Sequence, residues 1–384
     1  MNQNTELVLA LLRTAFASDG RGNVNFDAFD SSVYSPVFRI FKQHDLAHLL
    51  NRCVKGAQLN IDAEMQKKLE AIENQAIFRY FRIAEELKNT SAILEKGEIP
   101  FMPLKGSVLR ELYPEPWMRT SCDIDIHVHE EDLERALALL AAEGYQIGER
   151  GFHDIAITTP LGVTLELHYM LVEKSESAYG VLSRAWETAT LADGYHFRYE
   201  MTGEMFVLFH IAHMAKHFVD GGCGVRPFID LWVIKNKMHY DAHTLDALFA
   251  ECSLTAFAEA AIALSNAWLA GGAHSPLTEE MENYIMASGV YGTTENRVAI
   301  AQANRGGKLH YLITRLFPPF ERMAQRYPTL RKCALLLPWF YLVRWFSFLK
   351  KDKQSAFHEL RHNASISEEK QTRLVNMCEE LGLV

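Results

Sequence analysis

Asp123-Ile124-Asp125 is the stretch of this chain whose residue types and spacing are best suited to chemistry. On a strand, side chains two apart leave the same face, so both carboxylates point together while Ile124 and Ile126 turn to the core. Two adjacent carboxylates repel and raise each other's pKa unless a cation is shared between them. Magnesium takes oxygen ligands, typically one or two carboxylates plus substrate phosphates. An Asp-x-Asp strand is therefore a cradle for such an ion, although surface strands also carry the pattern without one.

Two further groups sharpen that reading. Lys105-Gly106-Ser107 follows a short apolar run and opens a helical pattern. Glycine lets the backbone come close to a phosphate, Ser107 offers a hydroxyl and an N–H, and a helix start favours anions. The spacing is not that of a P-loop; the plainer alternative is a turn glycine with a capping serine. In Thr164-Leu165-Glu166-Leu167-His168, the leucines face one way and Glu166 and His168 the other. A mid-strand glutamate among apolar neighbours needs a partner, and a metal held by two aspartates would supply it. The alternative is the exposed face of an edge strand.

The elements that must position these residues follow from periodicity. Residues 6–17, 37–50 and 65–94 carry apolar positions at helical spacing, with turn-rich breaks at 20–25 and 55–60. The last helix should stop at Lys96-Gly97, with Gly97 as its C′ residue. Short strands are expected at 99–104, 123–128, 145–149, 154–159 and 163–170. Ser107 should cap a helix to about 113, a second helix should cover 130–143, and Pro160-Leu161-Gly162 reads as a hairpin turn. The fold class is α+β: a small mixed β-sheet with helices on one face, at 98–175, between an N-terminal helical region (1–97) and a C-terminal helical domain (176–384).

The strand–Gly-Ser–helix unit, the Asp-x-Asp strand and the later lone carboxylate resemble the DNA polymerase beta-like nucleotidyltransferase superfamily. The likeness is closest to a branch of uncharacterised bacterial nucleotidyltransferases often found beside polysaccharide genes. Pro103-Leu104-Lys105-Gly106-Ser107, Leu112-Tyr113-Pro114, Arg119, Asp123-Ile124-Asp125-Ile126 and Leu165-Glu166-Leu167-His168 carry it. His213, His217, Arg226, Asp230, Leu316-Phe317-Pro318 and Leu337-Pro338 continue it. Cys122 stands where the family usually has glycine, and His127 where an apolar residue is usual.

The resemblance implies a nucleotidyltransferase core and transfer of a nucleoside monophosphate from an NTP such as ATP to an acceptor hydroxyl, sugars or polysaccharides being one class of acceptor. Two Mg2+ ions would serve it, with Mn2+ as a substitute. Asp123 and Asp125 would bridge both ions, and Glu166 would complete the one nearest the nucleophile. Gly106 and Ser107 would grip phosphates. Lys105 and Arg119 are added as charge-neutralising residues, each with a structural salt bridge as the alternative. His217 joins the nucleotide-binding set; His210, His213 and His217 are otherwise read as structural histidines or, with Asp220, a transition-metal group. Arg226 and Asp230 are expected to pair, with a phosphate contact as the alternative for Arg226. Competing readings keep the fold but modify protein or tRNA, as in toxin–antitoxin systems, or bind nucleotide without turnover.

The bulk properties agree with such a chain. A charged fraction of 23% beside 48% hydrophobic residues suits an ordinary globular protein. A net charge of −9 argues against a stable nucleic-acid complex. The cysteines form no CxxC pair and read as reduced thiols, and the N-terminus lacks a basic signal-peptide region, so a cytoplasmic location is expected. Residues 335–349 are too short to span a membrane and hold Arg344. They are expected to form a buried, aromatic-rich helix, with Lys350 and Lys351 leaving surface membrane contact as the alternative.

Overall fold

The computed structural model describes residues 3–16, 34–290, 292–304, 313–314, 316–351 and 368–384; the expected break at 20–25 lies outside them. The chain divides into two compact units, Met1–Met214 with Gly224–Val290, and Ala215–Cys223 with Tyr291–Val384.

In the first unit, helices α1 (Gln3–Phe16), α2 (Tyr34–Gln43) and α3 (Leu50–Gly56) precede the long α4 (Ala63–Lys96). Asp62 starts α4 by accepting a hydrogen bond from the Met65 N–H. Leu69, Ala76, Ile83 and Thr90 are buried at intervals of seven, which places them on one face of the helix. Its end corrects the expectation for Gly97. Gly97 has φ −81°, and the left-handed residue is Glu98, at φ 53°. What Gly97 supplies is room, since a Cβ there would lie 2.3 Å from Leu139 Cδ1.

The sheet comprises β1 (Phe101–Pro103), β2 (Asp123–Val128), β3 (Gln146–Arg150), β4 (Asp154–Thr158) and β5 (Thr164–His168), in the order β1-β2-β5-β4-β3. The β2–β5 pair is parallel and the other pairs are antiparallel. The fold is thus α+β around a mixed sheet, as the sequence suggests. Between β1 and β2 lies α5 (Gly106–Leu109), continued by a 3-10 turn at Arg110–Leu112. The expected longer helix capped by Ser107 is not formed: Lys105 holds the cap position and makes no side-chain cap. Helix α6 (Leu133–Ala142) links β2 to β3.

One face of the sheet is closed. Ile124, Ile126, Ile155, Ile157, Leu165 and Leu167 pack with Leu133, Ala136 and Leu140 of α6 and with Ile83 and Leu94 of α4. Each fully buried Leu or Ile contributes about 1.5–3 kcal/mol by leaving water. Glu86 of α4, also buried, accepts from the Leu161 N–H and the Tyr145 hydroxyl, tying the helix to the β4–β5 turn. The strand period of two sends the residues between these to the opposite face.

The second unit is helical where described, with helices at Thr294–Asn304, Leu337–Lys351 and Glu368–Glu380. The expectation of a buried helix at 335–349 needs correcting. Phe340 and Tyr341 pack against Tyr327 and Phe317, but Leu335, Trp339 and Phe346 are 90%, 62% and 66% exposed. The segment is apolar all round, yet only one side of it finds neighbours. Among the described residues, no helix is long and apolar enough to cross a membrane.

Candidate active site

The open face of the sheet collects the polar residues of its two central strands. Asp123, Asp125 and His127 of β2 lie in parallel register with Thr164, Glu166 and His168 of β5. Because β5 lies between β2 and β4, Glu166 stands in the middle of the sheet, not on an edge. Ligand atoms of Asp125, Glu166 and His168 lie within 4.8 Å of one another. Asp123 is outside that tight group, at the more open end of the strand.

Charge is concentrated here. Asp125 is 3% exposed, and one of its oxygens, Oδ1, accepts from Lys105 Nζ at 2.9 Å and from His168 Nε2 at 3.0 Å. Burial alone would raise this carboxyl. Lys105 and the His168 hydrogen bond outweigh burial and hold it well below the usual carboxylate range. Asp123 moves the other way: burial and the like charges of Asp125 and Glu166 raise it, against the pull of Lys105 and Arg119. One ammonium stabilises one carboxylate while a neighbouring carboxylate remains electrostatically strained.

The turn above the aspartates is strained as well. Lys105 adopts φ 41° and ψ −116°, a region that residues with a Cβ rarely enter. Such a conformation costs about 1–3 kcal/mol and persists only where its surroundings enforce it. The Leu104 N–H donates to the Asp125 carbonyl at 2.9 Å, pinning the turn to β2. Lys105 is thereby placed beside the carboxylates. Ser107 follows on α5 at 6% exposure, and its buried hydroxyl has no hydrogen-bond partner.

Sequence reasoning missed the bracing of this turn. Arg110, 2% exposed, donates from Nε to the Gly106 carbonyl at 2.7 Å and from Nη2 to Ser121 Oγ at 2.8 Å. Ser121 Oγ in turn donates to the Asp123 carbonyl at 3.0 Å. The guanidinium thus ties α5 to the start of β2. Burial, followed by the nearby Arg119 charge, pushes it down to about 10. The only signal for this role in the sequence is the short spacing of Arg110, Ser121 and Asp123. A small cavity beside the turn is lined by Arg79, Tyr80, Arg110, Trp117, Arg119 and Ser121.

Arg119 has a partner already. Its Nε lies 3.0 Å from Asp230 Oδ1, which also accepts from the Tyr113 hydroxyl at 2.6 Å. Burial would raise Asp230, but Arg119 and His210 outweigh it and the carboxyl is lowered. The expected Arg226–Asp230 pair is therefore corrected. Spacing of four suggested it, but Asp230 turns towards Arg119, and Arg226 donates to the Thr120 carbonyl at 3.1 Å and meets Asp45 at 3.4 Å. Of the three histidines, His210 Nε2 lies 3.1 Å from the Pro227 carbonyl, and His217 belongs to the second unit. The groups able to hold a metal among the described residues include none of the three. All six cysteines are free thiols, Cys122 being exposed next to Asp123.

Comparison with curated proteins and with solved structures finds no match. A family model described as "Uncharacterised nucleotidyltransferase" matches residues 33–270, a span that takes in the whole sheet, the Lys105 turn and the Arg119–Asp230 pair. With more than half its length matched, the chain belongs to that nucleotidyltransferase family.

Proposed function

We propose that this chain moves a nucleoside monophosphate from an NTP to an acceptor hydroxyl at the open face of the sheet, with divalent magnesium held by Asp123, Asp125 and Glu166. One observation carries the reading. Three carboxylates on adjacent parallel strands stand beside the Lys105 turn, which is bonded to Asp125 and is followed by Ser107, whose hydroxyl is buried and unpartnered. Such a hydroxyl costs free energy unless it meets an acceptor, and a phosphate oxygen is one.

The donor set suits the ion. Magnesium favours carboxylate oxygen and few protein ligands, leaving positions for phosphate. Asp123, raised by burial and by its acidic neighbours, is the group a cation would relieve. When bound, magnesium would neutralise charge developing on the phosphoryl oxygens and on the leaving pyrophosphate. The side chains do the rest. Ser107 would orient a phosphate through its unpartnered hydroxyl, and Arg110 keeps that turn in register with β2. The acceptor oxygen bonds to the α-phosphorus, the α–β bridging P–O bond breaks and pyrophosphate leaves. The acceptor's proton passes to Glu166, which lies 3.5 Å from His168 Nε2.

Pyrophosphate release measured across the four ribonucleotides, with metabolite fractions as acceptors and magnesium present, tests the reading. Asp123→Ala should abolish release while leaving the melting temperature close to that of the parent. Full release by the folded variant would refute the assignment.

A further inference from the structure

His168 faces two ways. Its Nε2 meets Asp125 Oδ1 at 3.0 Å, and an ionised carboxylate can only accept, so Nε2 carries the proton. In the neutral ring this leaves a lone pair on Nδ1. That atom is buried in a side chain 1% exposed and has no hydrogen-bond partner. Close to the His168 ring stand two residues outside the proposed transfer chemistry. Asp154 is the cross-strand partner of His168 on β4, so the two share a sheet face. His153 precedes it, its ring 5.5 Å from the His168 ring at 29°. Its backbone is fastened where its carbonyl accepts from the Tyr169 and Met170 N–H groups.

Ligand atoms of His153, Asp154 and His168 all lie within 4.8 Å of one another. Nitrogen and oxygen ligands at about 2.0–2.1 Å from a tetrahedral zinc stand roughly 3.4 Å apart, so modest rotation of the two part-exposed side chains would close the set. Gly151 leaves the space this needs, because a Cβ there would lie 2.3 Å from Asp154 Oδ1. Two imidazoles with one carboxylate favour a first-row transition ion over magnesium. A histidine that binds a metal through one nitrogen and donates to a carboxylate through the other is a recurrent arrangement.

We propose that His153, Asp154 and His168 form a second metal site, for a divalent transition ion of zinc's class, coupled to the acidic face through His168. A metal there would fix the ring and the proton that His168 gives to Asp125.

Cobalt titration of the chelator-stripped, full-length chain in excess Mg2+ tests this by visible absorption, without reference to turnover. One equivalent should give the intense band of a low-coordinate, nitrogen-ligated cobalt ion, displaceable by Zn2+. His153→Gln and Asp154→Asn, each checked for an unchanged circular dichroism spectrum, should weaken binding at least tenfold, whereas Asp123→Asn should leave it unaltered. Equal affinity in the first two variants would overturn the site. So would loss of the band in Asp123→Asn, which would put the cobalt on the aspartate pair. Pyrophosphate release with magnesium alone reports separately on nucleotidyl transfer, so failure of one reading is distinguishable from failure of the other.

Discussion

Lys105 can be replaced by methionine, which keeps the stem and removes the ammonium. In the parent, Nζ lies 2.9 Å from Asp125 Oδ1, with 22% of the lysine side chain and 4% of the aspartate exposed. Removing one partner of a fully buried pair costs about 3–5 kcal/mol. Here the lysine is partly wet and Asp125 keeps the His168 donor, so about 2 kcal/mol is the fitting figure. At about 2–4 °C per kcal/mol for a unit of this size, the magnesium-free variant should melt roughly 4–8 °C below the parent.

Magnesium should reverse much of that loss. Without the ammonium, Asp123, Asp125 and Glu166 have lost their nearest positive charge, and a divalent ion no longer competes with Lys105 for Asp125 Oδ1. Tenfold tighter binding would return about 1.4 kcal/mol at saturating ion. The sign with pH is also set. Asp125 is depressed below its ordinary 3.8, so its stabilisation is present above the unfolded pKa and is lost as pH falls through the folded value. The gap between parent and variant should be full at pH 7 and narrow in acid. Calorimetric melts of both proteins, with and without Mg2+, check all three points. An equal magnesium shift in parent and variant would refute the idea that ammonium and metal compete for one oxygen.

Acid should weaken the fold before the carboxylates titrate. Burial lowers His44 and His48 to about 4 and His127 to about 3, against backbone carbonyl partners that pull the other way. The unfolded chain takes up protons near 6.5 that the folded chain refuses, so stability falls from pH 6.5 towards 4, by up to about 3 kcal/mol for His48 alone. His48→Gln should flatten that slope in urea melts at stepped pH; an unchanged slope would count against it. Asp230→Ala strands the buried Arg119 guanidinium and should cost about 3–5 kcal/mol, read from denaturant midpoints; a loss under 1 kcal/mol would show the pair to be weak. Glu98→Gly should stabilise by about 0.5–1 kcal/mol, because the left-handed residue after α4 is Glu98. A lower melting temperature would contradict that.

Much of the site is legible in the sequence because strand chemistry is local. Asp-x-Asp with isoleucines between, and Glu166 with leucines on either side, announce which atoms share a face. Central placement of β5 is not local. It follows from β3 and β4 folding back beyond it, and nothing in 164–168 alone separates a middle strand from an edge. The same limit explains Asp230. Its spacing from Arg226 suggests a helical pair, whereas the tertiary fold presents Arg119 and the Tyr113 hydroxyl together. In the helix Leu337–Lys351 an apolar run without a polar face gives no sign of which side will be covered. The strained Lys105 is hidden for a different reason. A lysine before a glycine reads as an ordinary turn, and φ 41° is seen only with the turn pinned to β2 by the Leu104 bond to the Asp125 carbonyl.

That strain bears on the proposed reaction. The three carboxylates outnumber the one ammonium paired with them on this face, and a triphosphate is itself polyanionic. The phosphates cannot settle beside Asp123 and Asp125 unless positive charge arrives with them, which argues for metal and nucleotide entering together. Were Asp125 to hold a cation, Lys105 would lose its closest partner while its backbone stayed in a conformation that costs about 1–3 kcal/mol. The ammonium would then be free to meet a phosphate oxygen. On the proposed reading the Lys105–Asp125 pair would hold the site ready rather than closed, with the lysine poised to exchange a carboxylate for a phosphate.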